Sequence, residues 1–252
     1  MSFYPKSKTK LLINNIYKSF HDTDVLNNIS MRLCEKEFVS IIGPSGCGKS
    51  TIFNIISGLI LPDSGSIFLD KKLITGMIGR VSYMHQKDLL LPWKKIIDNV
   101  SLALIIKGSK RHEARQAAKE YFDVFGLAGF EYKYPHQLSG GMRQRAAFLR
   151  TYLFSKDVML LDEPFGGLDT ITKSKMHYWL QDVLNNLNTS VLFITHDIEE
   201  SILLSDRIYI FSDRPANIKE EVLIDLKRPR DYNEIITSLE FNEIKRHIIG
   251  LL

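Results

Sequence analysis

Apolar and polar residues alternate through "KLLINNIYKSF" from Lys10 and again through "VLNNISMRL" from Val25, with the turn-like "HDTD" between them. A period of two belongs to strands with one buried face, so the chain is expected to open on a strand pair. "EFVSIIG" replaces the alternation with a short apolar run ending on Gly43, the pattern of a central strand buried on both faces. The spacing then changes. "KSTIFNIISGLI" from Lys49 repeats its apolar positions at helical intervals, before "LPDSGSIFLD" signals a turn and another strand.

From Lys87 to Ser155 the strand signal fades. "RHEARQAAKEYFDVFGL" is helical in period, with Gly126 near its end, and residues 87–155 read as a mostly helical lobe inserted in an α/β core. Strand pattern returns in "DVMLLDEP", "SVLFITHD" and "RIYIFSD", with helical stretches between them. That order predicts a largely parallel sheet covered on both faces. The expected organisation is one domain, with an α/β core at 1–86 and 156–212, a helical subdomain at 87–155, and a strand-and-helix tail at 213–252.

Composition changes this picture little. With 252 residues, 44% hydrophobic and 25% charged, the chain suits one globular domain with an ample core. A net charge of +4 is too small for a nucleic-acid-binding tail but compatible with an anionic membrane surface. The two cysteines, Cys34 and Cys47, form no disulfide framework and fit a reducing cytosol. "MSFYPKSKTKLLINN" has only a short apolar run after its lysines, so no secretory signal is expected. The greasiest window, "VSLALII" from Val100, is too short to cross a bilayer. Work at a membrane would need another chain as anchor.

Candidate chemistry gathers where strands end. "GPSGCGKST" lies between the apolar strand and the helix and fits G-x-x-x-x-G-K-[ST] at every fixed position. Gly43, Gly46 and Gly48, with Pro44, Ser45 and Cys47 between them, let backbone N–H groups wrap phosphates unobstructed. Lys49 supplies a point charge for β- and γ-phosphates, and the Ser50 hydroxyl suits Mg²⁺. Thr51 continues into a helix whose N-terminal dipole favours an anion. In "VMLLDEP", Asp162 at the strand end can hold Mg²⁺ through water, and Glu163 can accept a proton from attacking water. The competing reading is an acidic pair that caps the next turn. His196 closes the strand "LFITH"; it is either structural or close enough to act on a γ-phosphate. "QLSGGM" from Gln137 then offers a second phosphate cradle, Ser-Gly-Gly at a helix start, in a chain with one lysine-bearing loop.

With these pieces in order, the chain resembles the ATP-binding subunit of an ABC transporter over nearly its whole length. The resemblance rests on "LSGGM" followed by "RQRAAFLRTYL", which is similar to that family's signature, together with the phosphate loop. It implies a P-loop NTPase core of the ABC type: a mostly parallel sheet flanked by helices, N-terminal antiparallel strands, and an inserted helical subdomain. It implies ATP and Mg²⁺ as cofactors, and two subunits paired head to tail. Ser139, Gly140 and Gly141 would then serve the other subunit's ATP, which explains two cradles with one lysine. Phe20 resembles the aromatic that stacks on adenine, with Val25 as a second apolar contact. Gln86 resembles the glutamine that touches Mg²⁺ and links ATP to the membrane part. "GGLD" at 166–169 resembles the loop that crosses the dimer interface, with Asp169 as its acidic member and with Gly166 and Gly167 in place of the family's common Ser-Ala. Met142 stands where glutamine is common. The implied catalytic set is Glu163, His196, Lys49 and Gln86, and the implied metal ligands are Ser50, Gln86 and Asp162.

"DLLLPWKKIIDNV" places leucines, a proline and Trp93 just after Gln86. Such a cluster either packs under the helical lobe or receives a short cytoplasmic helix of a permease. "LLPW" and the tail with Arg-Pro-Arg at 228–230 resemble the branch importing nitrate, sulfonates, taurine and thiamine precursors. That implies an ATP-hydrolysing subunit, peripheral on the cytoplasmic face of the cell membrane. Its partners would be permease subunits through Gln86–Trp93, a second ATPase subunit, and indirectly a periplasmic or lipid-anchored solute-binding protein. The arginines at 143, 145 and 150 read as the signature helix's own face, so no nucleic-acid partner is expected. The alternatives are an exporter ATPase, a soluble ABC ATPase of DNA repair or translation, and a small-molecule kinase.

Overall fold

The structure, a computed structural model, describes residues 8–228 and 230–252. Residues 1–7, the start of the segment read for a signal, and Pro229 of the Arg-Pro-Arg element lie outside the described residues. In chain order the first elements are β1 (Thr9–Phe20), β2 (Thr23–Cys34), β3 (Phe38–Ile42), α1 (Lys49–Ile56), β4 (Ser64–Leu69) and β5 (Lys72–Leu73). There follow β6 (Ser82–Met84), α2 (Ile96–Ile106), α3 (Arg111–Lys119), α4 (Gly140–Phe154), β7 (Val158–Asp162) and α5 (Thr170–Asn186). The chain continues with β8 (Ser190–Ile194), α6 (Ile198–Leu204), β9 (Arg207–Phe211), β10 (Ile218–Leu223), α7 (Tyr232–Ile235) and α8 (Leu239–Leu251).

These elements form two compact units, one of Met1–Val81 with Thr189–Leu252 and the other of Ser82–Asn188. β6, β7 and α5 therefore fall with the helical segment, so the units divide the chain at other places than a core-and-insert partition at 87–155 does. In the first unit β2, β1, β4 and β5 make an antiparallel sheet in that order. A second sheet runs β10-β9-β3-β8, with β3 parallel to β9 and β8, and β10 antiparallel at the edge. Every residue of β3, β8 and β9 is buried, as their largely apolar sequences require for strands covered on both faces, and Ser40, Ser190 and Arg207 are the polar residues taken in with them.

The alternation along β1 holds only in part. Leu11, Ile13 and Ile16 are all fully buried, yet Ile13 and Ile16 are an odd number of positions apart. The pairing with β2 shifts register between them, and Asn15 takes φ 49°. This bulge returns Ile16 to the buried face. Asn15 is held by its N–H on Ser30 Oγ at 2.9 Å and its Nδ2 on Asn28 Oδ1 at 2.6 Å. On the other side, a Cβ at Gly65 would come within 2.3 Å of the Asn15 carbonyl, so only glycine lets β4 lie against the bulge.

In the second unit β6 and β7 pair in parallel, and α2, α3, α4 and α5 pack as helices. The helix expected through Leu127 stops at Lys119. Beyond it the backbone bonds tighten to i→i−3 steps, Phe122 to Lys119 at 3.1 Å and Gly126 to Asp123 at 2.8 Å. This tighter path buries both Phe122 and Phe125, and Phe125 meets Phe148 and Trp179 at ring separations of 5.9 and 5.8 Å. Aromatic packing outweighs the helical period here.

One ion cluster ties α2 to α3. Asp98 is 8% exposed and accepts from Arg115 Nε and Nη2 at 2.9 and 2.7 Å, and from Arg111 Nη2 at 3.2 Å. Burial opposes its ionisation, but the hydrogen bonds and charges of Arg115 and Arg111 outweigh it and hold the carboxyl below the usual carboxylate range. A depressed folded-state pKa contributes stability above the unfolded pKa, and that stability is lost as pH falls through the folded one. Asp98→Asn is therefore predicted to destabilise the protein by about 1.5–3 kcal/mol at neutral pH, a gap that shrinks below about pH 4. Denaturant melts at both pH values check this; an equal gap at both rejects the ion-pair account.

Candidate functional site

The site residues are divided between the two units: Phe20, Val25, the loop Gly43–Thr51 and His196 in the first, Gln86, Ser139–Gly141, Asp162, Glu163 and Asp169 in the second.

In the first unit the loop leaves buried β3 and enters α1. Gly48 has φ 127°, and a Cβ there would meet Leu26 Cδ2 at 2.7 Å. A Cβ at Gly43 would lie 2.9 Å from the carbonyl oxygen of Phe211. Side chains at either position would push the loop off its support. Lys49 is 7% exposed, and its Nζ donates to the carbonyls of Gly43 and Pro44, both at 2.8 Å. Neutral carbonyls compensate a buried cation only partly, so an anion in the loop fits its chemistry. α1 has no acidic residue in its first turn and no side-chain cap at Gly48, which leaves its N-terminal field for a phosphate. Ser45, Gly46 and Ser50 are exposed, while Thr51 is half-buried. Burial pushes the Cys47 thiol up in pKa against the pull of Lys49, which makes it a poor nucleophile.

The loop also has a brace that its own sequence does not reveal. Arg214 Nη2 donates to the Gly46 carbonyl. Ala216 N donates to the Val25 carbonyl at 2.9 Å and its carbonyl accepts from Asn27 N at 2.8 Å. Val25 itself is 5% exposed and faces Gly48, so its observed contact is with the loop. Phe20, at the end of β1, is 41% exposed, with Lys18 Nζ 5.2 Å from its ring centroid. His196 follows β8 and is exposed.

In the second unit β7 ends on Asp162, which is 8% exposed and accepts from the Tyr83 hydroxyl at 3.1 Å. Burial, and then the charge of Asp162, raise the Tyr83 pKa far enough that it stays a donor. Glu163 is half-buried and takes a left-handed φ of 44°, unusual outside glycine. Gln86 Nε2 donates to Glu163 Oε2 at 3.3 Å, and Gly166 N to the Glu163 carbonyl at 2.9 Å. A Cβ at Gly166 would stand 3.3 Å from Gln86 Nε2, so glycine there leaves room for the Gln86 amide.

Ser139 caps α4, accepting from Met142 N at 3.3 Å, and is exposed beside half-buried Gly140 and buried Gly141. Asp169 accepts from Thr172 N at 3.0 Å and Thr172 Oγ1 at 2.6 Å at the start of α5, and those bonds lower its pKa. The arginines of α4 point inward to the unit: Arg150 donates to the carbonyls of Leu89 and Asp88 at 2.7 and 2.6 Å, Arg143 pairs with Asp88 at 3.3 Å, and Arg145 lies over the Trp179 ring. The segment after Gln86 is thus tied to the signature helix. Leu90 is 7% exposed, whereas Leu89 and Trp93 are 53% and 70% exposed, so the loop both packs and presents apolar surface.

The roles of Tyr83 and Arg214, and the contacts of Arg143 and Arg150, are not visible in the sequence, because their partners are backbone atoms or residues distant in sequence. Among the described residues no group of three or more His, Cys, Asp or Glu side chains could hold a metal ion, so a divalent ion would need oxygens from a nucleotide as well. Nor is any described helix long and apolar enough to cross a membrane.

A phosphate loop between a buried strand and a helix, with an acidic end on a second buried strand, defines a P-loop nucleotide-binding protein of the α/β class. Residues 26–166 match the family model described as "ABC transporter", and the chain belongs to that family. It is 39% identical to an uncharacterised ABC transporter ATP-binding protein of Methanocaldococcus jannaschii, over 98% of this chain and 92% of that one. It is 44% identical to a formylaminopyrimidine import ATP-binding protein of Halalkalibacterium halodurans, over 90% of each chain. Among solved structures, a dimeric ATP-binding cassette in a post-hydrolysis state bound to ADP and Pi superposes with a TM-score of 0.71 at 29% identity, covering 86% of this chain and all of that one.

Proposed function

We propose that this chain is the ATP-binding and ATP-hydrolysing subunit that energises an ABC importer for a small solute of the nitrate, sulfonate, taurine or thiamine-precursor type. The observation that carries the paired ATPase is the exposed Ser139 cap at the start of α4 in a chain whose own phosphate loop already holds Lys49, and the likeness to an import ATP-binding protein supports the importer. A second cradle without a lysine suits a nucleotide held by another copy, so the working form is a dimer.

Lys49 and the Gly43–Thr51 amides bind the phosphates, and the exposed Phe20 ring stacks on the base. Ser50, Asp162 and Gln86 are the residues that would hold Mg²⁺, which supplies charge neutralisation on the phosphate oxygens. Glu163, oriented by Gln86, takes the proton of the attacking water, and His196 holds that water and the γ-phosphate in register. Asp169 and Ser139–Gly141 face the second subunit. In functional terms we assign nucleotide work to 1–86 and 156–212, signature and permease docking to 87–155, and support to the tail 213–252. The chain would sit peripherally on the cytoplasmic face of the membrane, bound to permease subunits through Gln86–Trp93 and served by a solute-binding protein outside.

A tagged pull-down from detergent-solubilised membranes tests this. A multispanning permease in stoichiometric amount is the expected result; recovery with ribosomes, DNA or nothing attached rejects the importer. Trp93→Ala with Leu89→Asp should lose that permease by about 10-fold or more while ATP binding stays unchanged, as expected when exposed anchors of an interface are removed. Equal recovery would place docking elsewhere.

A further inference from the structure

We infer that the C-terminal tail, through Arg230, Arg228, Tyr232 and Lys245, is a positioning device for His196. The inference rests on the proposed role of His196 in hydrolysis.

His196 lies between two residues anchored to the first turn of α6. Thr195 Oγ1 bonds the Glu200 carboxylate, both groups being buried. Asp197 N donates to Thr195 Oγ1 at 3.1 Å, and Asp197 caps α6 by accepting from Glu200 N at 3.1 Å. Where α6 sits therefore decides where the His196 backbone sits. At 7 residues α6 is too short to hold itself in place.

The tail holds both of its ends. At the C-terminal end Arg230, 2% exposed, donates through Nη1 to the carbonyls of Ile202, Leu203 and Ser205 at 2.8, 3.2 and 2.6 Å. Arg228 Nη2 takes the Leu204 carbonyl at 2.7 Å. These are the carbonyls that a helix end leaves without internal partners, and a cation there also suits the helix dipole. At the N-terminal end Glu199 accepts from the Tyr232 hydroxyl at 3.0 Å and from Lys245 Nζ at 2.6 Å. Phe241 and Ile248 of α8 share a buried cluster with Ile202 of α6. Arg230 alone would stabilise the fold; the added clamp on Glu199 fixes the end of α6 next to His196.

The test uses the full chain in three forms: Tyr232→Phe with Lys245→Met, whose partners are partly exposed and whose fold should survive, Arg230→Gln, and Arg230→Lys as the conservative variant. Steady-state ATPase kinetics are read beside the imidazole resonance of His196 in histidine-labelled protein, assigned with His196→Ala. The expected result for the Tyr232/Lys245 form is a 5- to 20-fold fall in kcat with KM for ATP within twofold and a shifted His196 resonance, as a lost transition-state contact predicts. Those of His85, His112, His136 and His177 should stay. Arg230→Lys should recover part of what Arg230→Gln loses. An unchanged kcat, or a lowered kcat with the His196 resonance unmoved, overturns the positioning role. A His196→Ala chain with full turnover instead overturns the hydrolytic role on which it rests, whatever the tail variants do.

Discussion

Glu163→Gln is predicted to lower ATP turnover by about 10²- to 10⁴-fold, the range expected when a general base loses its carboxylate, while nucleotide binding is retained. The substitution keeps the shape of the side chain and removes the carboxylate oxygen that the proposed role needs as proton acceptor. The local geometry supports this role. Glu163 is held at φ 44°, its carbonyl is fixed by Gly166 N at 2.9 Å, and its carboxylate is oriented by Gln86 Nε2 at 3.3 Å. A residue held in a sparsely populated backbone region costs on the order of 1–3 kcal/mol, so its surroundings must fix it there. With hydrolysis blocked, the ATP-bound dimer should accumulate. Size-exclusion chromatography with ATP is expected to show a dimer for the variant and mainly monomer for the wild type after turnover. Turnover within about threefold of wild type would remove Glu163 from the role of base.

Lys49→Ala is predicted to weaken ATP binding by about 10- to 100-fold, corresponding to about 1.5–3 kcal/mol for a charge-assisted contact, with hydrolysis lost to a greater extent. Lys49 is 7% exposed and gives two donors to the Gly43 and Pro44 carbonyls, so its removal takes both the charge for the phosphate and the tie that curls the loop. Titration calorimetry with ATP reads the first effect, and a thermal melt of the nucleotide-free protein reads the second. A Kd within threefold of wild type would mean that the loop amides and the helix dipole hold the phosphates without the lysine.

Much of the site was legible because its chemistry is local. The loop from Gly43 to Thr51 is one contiguous stretch, and its glycines, lysine and hydroxyl each answer a need set by a phosphate bound to backbone N–H groups. The strand ends at Asp162 and before His196 were legible because an apolar run announces a buried strand; that Asp162 is itself buried while His196 is exposed was not. Contacts to backbone carbonyls were not legible. Nothing in "KRPRDYN" states that Arg230 closes the C-terminal end of α6, because the carbonyls it meets at Ile202, Leu203 and Ser205 carry no residue-specific signal. The same holds for Arg214 on the Gly46 carbonyl and Arg150 on Leu89 and Asp88.

By itself, then, the sequence determined the class of sheet, the phosphate loop, the acidic strand end and the signature cap, each set by period, burial or bonding within a short stretch of chain. Tertiary structure decided the bulge at Asn15, the early stop of α3 at Lys119, the left-handed Glu163 with its Gln86 contact, and the clamp on α6. The physical reason is common to all of them. Each depends on groups far apart along the chain, Ser30 against Asn15, Phe148 and Trp179 against Phe125, Gln86 against Glu163, Arg230 against α6. Local propensity is worth tenths of a kcal/mol per residue, and a buried ring or a satisfied buried cation outweighs it.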